Sequence, residues 1–405
     1  MGSYQEHERL PFELNEKYNH LQLIQWTKLP NSDQWGYYTS YKIGAEWIDE
    51  NEAIVVTTKR NMENIDFLKM FMTCFSSNIE LESFSKIYSI NFEKPSIKAP
   101  ALRSVLSLLI VIHFINAVNR IKNLRKDYVH YSNNLNKIKG HISVLKNERK
   151  NISLKRFDRI YCEYDEYSLD IPENRLIKKA LLFSKNLLFK YNQHHSINYL
   201  LNKALSLFHD VSDNVTIKEV DRIKGHKLFN EYNEAVRLAK VILRHFDHNI
   251  IKESHSDEMV PPFVIDMSLL YEHYVYGLLR EAYGNKIIYQ YRSRTGVPDF
   301  LYVSEDFIGI LDTKYIPKYN DSPIDTYVIR QLSGYSRDLT ILKKLGYVNI
   351  QEDSPIPSVP CVIIYPSEKE NSSNPFKDVN LVDIYKKENG LAHFYKIEIP
   401  LPSIS

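Results

Sequence analysis

The stretch PDFLYVSEDFIGILDTKY, residues 298–315, constrains this chain more than any other. Two runs rich in aromatic and β-branched residues flank Ser304-Glu305-Asp306, which can serve as a tight turn, so the segment predicts an antiparallel hairpin. A turn at 304–306 pairs residue 303 with 307 and brings Asp299 opposite or diagonal to positions 311–312. Asp312 and Lys314 lie two apart on one strand and therefore share a face. Three charged groups thus meet at one end of an otherwise apolar hairpin, where burial without partners or a metal is costly. Two carboxylates at this spacing are hard oxygen ligands suited to Mg2+. A neighbouring ammonium can orient or deprotonate an attacking water and stabilise charge on a phosphate.

The flanking segments add two features. Upstream, IDMSLLYEHYVYGLL predicts a helix over 264–283, on which Ile265, Leu269, Glu272, Tyr276 and Leu279 recur at three or four and form one stripe. A carboxylate inside an apolar stripe has two readings: Glu272 snorkels at the stripe edge, or it reaches the metal site as a third acid. Downstream, IRQLSGY puts Gln331 and Tyr335 one turn apart on a helix predicted over 324–345. Such a pair can hydrogen-bond a DNA phosphate or a metal-bound water.

Elsewhere the pattern is mixed. Residues 20–60 alternate as short strands, IDFLKMFMTCF predicts a helix and KIYSINF a further strand. The apolar run 101–118 carries Arg103 and His113, and its uninterrupted part is about half of the ~20 residues a membrane span requires. It predicts a buried helix over 101–126 and no membrane insertion. From Arg120 to Arg159 there are twelve Lys/Arg against three Asp/Glu. That stretch is either a solvated helix-and-loop surface or a patch facing phosphates or a partner. GHIS at 140 reads as a strand-entry turn, 172–246 as helical and 252–262 as a loop. VPCVIIYP, VNLVDIY and HFYKIEIPL predict the remaining strands of a small mixed sheet. The fold class is α/β (α+β), with a β-rich region at 1–100, a helical, basic connecting region at 101–260 and an α/β domain at 261–405.

A formal net charge of +2 argues against coating nucleic acid non-specifically, so DNA contacts must come from local patches. Cys74, Cys162 and Cys361 are dispersed, which supports no disulfide framework, zinc site or iron–sulfur cluster and suits reduced thiols in the cytoplasm. The first residues show no apolar signal-peptide core. No G-x-x-x-x-G-K-[ST] occurs, so any nucleotide hydrolysis must come from another polypeptide. Neither His194–His195 nor His245/His248 sits in a zinc-ligand pattern such as HExxH. No G-x-S-x-G elbow supports a serine nucleophile.

With Pro298-Asp299 followed by Asp312-Thr313-Lys314, the segment resembles the PD-(D/E)xK nuclease superfamily, and the Gln331/Tyr335 spacing is the variant of its RecB-like branch. The wider chain is similar to the McrC family, the nuclease subunits of McrBC-type restriction systems. The matching stretches are LLIVIHFINAVNRIKNLRKDYVHY, IKGHISV, YDEYSLDIPENRLIKKAL, DMSLLYEHYV, VPDFLYV, GILDTKY and RQLSGY, from about residue 100 to 340. The resemblance implies a Mg2+-dependent endonuclease acting on double-stranded DNA. It places the metal and catalytic positions on Asp299, Asp312 and Lys314, with Glu272 as the helix acid and Gln331 and Tyr335 beside them. It also implies a partner, McrB, an AAA+ GTPase forming a hexameric ring, which docks on residues 1–100. Two rivals stand against this expectation: a non-catalytic adaptor that binds and stimulates an AAA+ motor, and a stand-alone RecB-like repair nuclease.

Overall fold

The computed structural model describes residues 2–403 apart from 12, 14, 29–33, 60–64, 77–85, 92, 190–194, 217–218, 220–229, 245–258, 317–318, 320–321, 348–354 and 368–372. His194, His245, His248 and most of the 252–262 loop fall outside the described residues. The chain divides into two compact units, residues 1–109 with 257–405, and residues 110–256. The architecture is mixed α/β, with several sheets and helices.

In the first unit the alternating N-terminal residues form strands, as their β-branched and aromatic content predicts. A five-stranded sheet runs in the order Gly2–Gln5, Ala53–Thr57, Lys42–Trp47, Phe263–Asp266, Tyr88–Ile90. The strand Phe263–Asp266 corrects the helix expected over 264–283. Val264 and Ile265 are β-branched and buried, and they pair antiparallel with Lys42–Trp47 on one side and Tyr88–Ile90 on the other. The helix begins only at Met267, where Asp266 acts as N-cap and accepts the Leu269 N–H at 3.0 Å. Ile265 is therefore not on the helix. The buried face of Met267–Tyr283 runs through Met267, Leu270, Tyr271, Tyr274, Val275 and Leu278, so the stripe containing Glu272 is its half-buried flank. Helix Phe67–Ser76 crosses closely at Gly277, where a Cβ would meet the Thr73 carbonyl oxygen at 2.2 Å.

A six-stranded mixed sheet follows in the order Ile287–Tyr289, Phe300–Val303, Ile308–Thr313, Cys361–Ser367, Phe394–Pro400, Lys386–Lys387. Ile308–Thr313 pairs antiparallel with Phe300–Val303 and parallel with Cys361–Ser367, so its backbone is tied on both sides. The hairpin forms where expected, one residue out of the expected register: Val303 pairs with Ile308, not Phe307. The turn takes four residues, Ser304 to Phe307, closed by the Ser304 N–H donating to the Phe307 oxygen at 3.0 Å. One face of the sheet packs Leu301, Ile310 and Ile363 against Val328, Leu332 and Ile341. On Phe300 the ring of Tyr276 stacks from helix Met267–Tyr283, with centroids 5.9 Å apart.

Two further expectations are corrected here. The helix predicted over 324–345 is two helices, Thr326–Tyr335 and Leu339–Lys344, because Asp338 caps the second and accepts the Thr340 N–H at 2.8 Å. VNLVDIY forms no strand. Asn380 accepts the Asp383 N–H, and Leu381–Ile384 closes into a short helix.

In the second unit, helices Pro172–Phe189, His195–Leu207 and Asn230–Ile242 form as predicted. Helix Pro100–Asn119 leads into them and ends before the expected residue 126. It has the length and apolarity to cross a membrane, yet 78% of its most apolar window is buried inside the protein. His113 is buried on it, held by burial down to about 4 with Glu234 3.7 Å away. The basic stretch after it is only partly helix and loop. Val144–Asn147 and Glu148–Ile152 are helical, but Asp127–Leu135 is a strand that pairs antiparallel with Ile160–Ser168, edged by His141–Ile142. Gly140 at φ +70 makes the strand entry that GHIS predicts, since a Cβ there would meet the Glu163 carbonyl oxygen at 2.4 Å.

Candidate active site

Because the register extends by one step beyond Phe300–Leu311, Asp299 faces Asp312 across the mouth of the hairpin. The Thr313 N–H donates to Asp299 Oδ2 at 2.7 Å and its hydroxyl donates to the same oxygen at 2.6 Å. One carboxylate oxygen is thereby tied to the scaffold. Asp312 is 1% exposed, and its Oδ1 accepts no hydrogen bond. Its one close neighbour is the Lys314 ammonium, 2.5 Å from Oδ2, an ion pair on the shared strand face that the two-residue spacing predicts.

Glu272 approaches from helix Met267–Tyr283. Gln290 donates its side-chain amide to Glu272 Oε1 at 2.8 Å. Gln290 itself sits at φ +46, a left-handed conformation that only tertiary contacts make tolerable, and its N–H donates to the Asp299 carbonyl oxygen at 2.8 Å. One residue thus ties the helix acid to the aspartate that follows its loop.

The electrostatics describe a cluster with more negative charge than its surroundings accommodate. Burial, and then the charge of Asp299, push the Glu272 carboxyl up to about 8 against the hydrogen bonds of Gln290 and Tyr289. Burial and Asp299 push Asp312 up to about 7 against the pull of Lys314. Burial raises Asp299 as well, against Lys314 and the Thr313 bonds. Burial draws Lys314 down, but Asp312 and Asp299 more than offset it, so the ammonium stays above its ordinary value.

A buried carboxylate with one orphaned oxygen, beside a second and a third acid, has the donor chemistry of a hard divalent cation site. Among the described residues no three His, Cys, Asp or Glu side chains stand close enough to enclose an ion alone. Mg2+ keeps several waters and takes one or two carboxylates, which the pair Asp299 and Asp312 could supply. Asp299, Asp312, Lys314 and Glu272 are thus brought together.

Gln331 and Tyr335 share a face as predicted, with the Gln331 amide donating to the Tyr335 hydroxyl at 3.0 Å and that hydroxyl donating to the Val297 oxygen at 3.4 Å. They brace the loop leading into Asp299 and make no hydrogen bond to the acids among the described residues. The sequence reading missed Gln290, Thr313 and Tyr327. Tyr327 is raised by burial and feels the charges of Lys314 and Asp312. Tyr327, Gln331 and Tyr335 recur at four, a signal that could have found it.

A model of the family of McrBC 5-methylcytosine restriction system components matches residues 49–335. No curated protein matches the chain. Among solved structures, a half-complex from a tetradecameric assembly of Thermococcus gammatolerans McrB AAA+ hexamers with bound McrC is 13% identical, covering 99% of this chain and 94% of that one at a TM-score of 0.38. A cryo-EM structure of the Thermococcus gammatolerans McrBC complex is 14% identical, covering 68% of this chain and 86% of that one at a TM-score of 0.32.

Proposed function

We propose, from the premise that this chain belongs to the family of McrBC 5-methylcytosine restriction system components, that it is the Mg2+-dependent DNA endonuclease subunit of such a system. Residues 261–405 then form a PD-(D/E)xK nuclease domain, and the protein works in the cytoplasm. The observation that carries this reading is Asp312: a carboxylate inside a sheet, facing Asp299, with Oδ1 unpartnered and Oδ2 met only by Lys314. One ammonium does not balance two buried aspartates, and burying a charge without a partner costs roughly several kcal/mol unless a further cation offsets it.

Asp312 and Asp299 would hold Mg2+, with Glu272 approaching from its helix as a third acid. When bound, the ion polarises a phosphoryl oxygen and lowers the pKa of its water. The protein's own groups do the positioning. Thr313 engages Asp299 Oδ2 and leaves Oδ1 for a cation. Gln290 fixes the rotamer of Glu272. The Lys314 ammonium, held against Asp312, orients the attacking water and stabilises negative charge on the phosphate. Gln331 and Tyr335 keep the approach to Asp299 in place.

The chain has no nucleotide-binding loop of its own. Its partner in this reading is a hexameric McrB-like AAA+ GTPase, whose GTP hydrolysis it stimulates. Residues 1–100 supply one docking surface. A second is the hairpin Asp127–Leu135/Ile160–Ser168 with its connecting segment, where Val144, Leu145 and Phe157 are 71%, 76% and 77% exposed. One active site cuts one strand, so a double-strand break requires two complexes to meet.

The test is cleavage of duplex DNA by the chain purified with its AAA+ partner, with Mg2+ and GTP, comparing wild type with Asp312→Ala. Cleavage that survives the substitution overturns the assignment. Efficient double-strand breaks by the lone chain without nucleotide replace it with the stand-alone nuclease.

A further inference from the structure

The loop 290–298, QYRSRTGVP, is bracketed by site groups: Gln290 at its start holds Glu272, and Asp299 follows its end. Between them it is clamped at several points. The Thr295 N–H and hydroxyl both donate to Asp338 Oδ2 at 2.9 Å. The Ser293 N–H and hydroxyl both donate to the Gly296 oxygen, at 2.9 and 2.8 Å. Gly296, at φ +139, lies flat against Tyr335, whose ring a Cβ would meet at 3.1 Å.

This rigid loop carries two cations outward. Arg292 and Arg294 are exposed, and among the described residues neither has an ion pair or a hydrogen bond. Lys344, also exposed, stands beside the loop with its ammonium 6.0 Å from the Tyr291 ring. The acid that reaches the loop, Asp338, is buried and already engaged by Thr295 and Thr340. Some cations elsewhere are neutralised by carboxylates, as Lys146 is by Glu163 and Arg175 by Asp170. A loop that is held by four hydrogen bonds and presents two unneutralised guanidiniums beside acids is preorganised for an anion.

We propose that Arg292 and Arg294, with Lys344 beside them, grip the sugar–phosphate backbone of duplex DNA next to the bond that is cut. A guanidinium fork matches phosphate oxygens two at a time, and a fixed loop loses little entropy when it binds. The grip also answers an electrostatic problem: the acids of the site repel a polyanion, and cations on the adjoining loop offset that repulsion. The assignment rests on the nuclease reading and adds to it the surface that seats the substrate.

The test uses the full chain carrying Asp312→Asn, metal-free, titrated onto a duplex at several salt concentrations. Adding Arg292→Gln and Arg294→Gln lowers the slope of log K against log salt by about 2, close to one released counterion per lost contact. Adding Arg292→Lys and Arg294→Lys instead keeps most of the slope, which a folding defect would not do. An unchanged slope in the Gln pair, or no duplex binding by the parent, overturns the loop assignment and leaves the nuclease reading standing. That reading is judged separately: cleavage by wild type with its partner that does not depend on Asp312 would sink it, whatever the slope.

Discussion

The hairpin Phe300–Val303/Ile308–Thr313 carries charge into the interior, whereas the hairpin Asp127–Leu135/Ile160–Ser168 carries apolar side chains out on the segment that connects its strands. Both are antiparallel pairs, the first carrying β-branched residues and the second tyrosines, so their backbones obey the same rules. Their carboxylates do not share a fate. Asp312 is enclosed, and burial with Asp299 raises it to about 7. Glu163 is only partly buried, and the Lys146 ammonium with the Ser143 hydroxyl holds it down to about 2. On the second hairpin the surplus of cations is partly committed, with Lys139 paired to Glu166 and His130 to Asp165. What remains unsatisfied there is apolar surface: Val144, Leu145 and Phe157. Buried acids crowded around a single ammonium point to chemistry; exposed large apolar residues point to another protein.

The sharpest way to break this contrast is to remove the buried charge. Asp312→Ala or Lys314→Ala lowers DNA cleavage by roughly a thousand-fold or more, the scale seen when an electrostatic catalytic group is lost. The same substitutions leave partner binding unchanged in a pull-down. A variant that still cuts puts the chemistry elsewhere.

The reciprocal experiment makes the second hairpin polar. Leu145→Glu with Phe157→Glu weakens binding to the AAA+ partner by about a hundred-fold, as for loss of interface anchors. Thermal unfolding of that variant stays within about 0.5 kcal/mol of wild type, because neither side chain supports the fold. Unchanged partner affinity assigns docking to residues 1–100 alone.

A smaller effect sharpens the first half of the comparison. Gln290→Ala frees the Glu272 carboxylate and lowers cleavage by about ten- to a hundred-fold, the range for groups that orient a metal ligand. Glu272→Gln falls at least as far, and a silent Glu272→Gln means the side chain only lines the helix flank. Kinetics at saturating Mg2+ separate the two.

The smallest effect concerns a second buried acid in the same unit. Glu6 is 4% exposed, reached by the Tyr315 hydroxyl at 3.4 Å, and raised by burial to about 7 from 4.5 against the charge of Lys59. A folded-state value above the unfolded one gives stability that is complete below 4.5 and lost as pH rises through 7. Glu6→Gln therefore flattens the fall in stability across that window, by about 1–3 kcal/mol. Urea unfolding at pH 5 and pH 8 measures it, and an identical slope in the variant shows that Glu6 is not the titrating group.

Much of the site was legible because it obeys period two and period four. Asp312 and Lys314 share a strand face, and Gln331 and Tyr335 share a helix face, for reasons that need only local geometry. The register was not legible, since a turn of three or four residues turns on whether Phe307 closes it, and that depends on its hydrogen bond with Ser304. Nor was the start of the Glu272 helix. Residues 263–266 carry a helical spacing, and only pairing with strands far away in sequence makes them extended. Gln290 was invisible because its role comes from a positive φ and from a helix eighteen residues upstream. The sheet at 127–168 was masked by the lysines and arginines of the segments around its strands, whose density reads as solvated surface although the strands themselves carry none.

The central claim is that the Asp299–Asp312 hairpin holds a divalent cation, and calorimetric titration of Mg2+ into the full chain tests it most directly. At pH 8, above the raised value of Asp312 at about 7, wild type binds the ion with measurable heat and its unfolding temperature rises with Mg2+ concentration. Asp312→Asn shows neither signal, while its metal-free unfolding temperature is equal to or above that of wild type, since a buried charge has gone. Equal Mg2+ binding by Asp312→Asn and wild type, or wild type that cuts DNA in Mg2+ yet shows no binding here, contradicts the account.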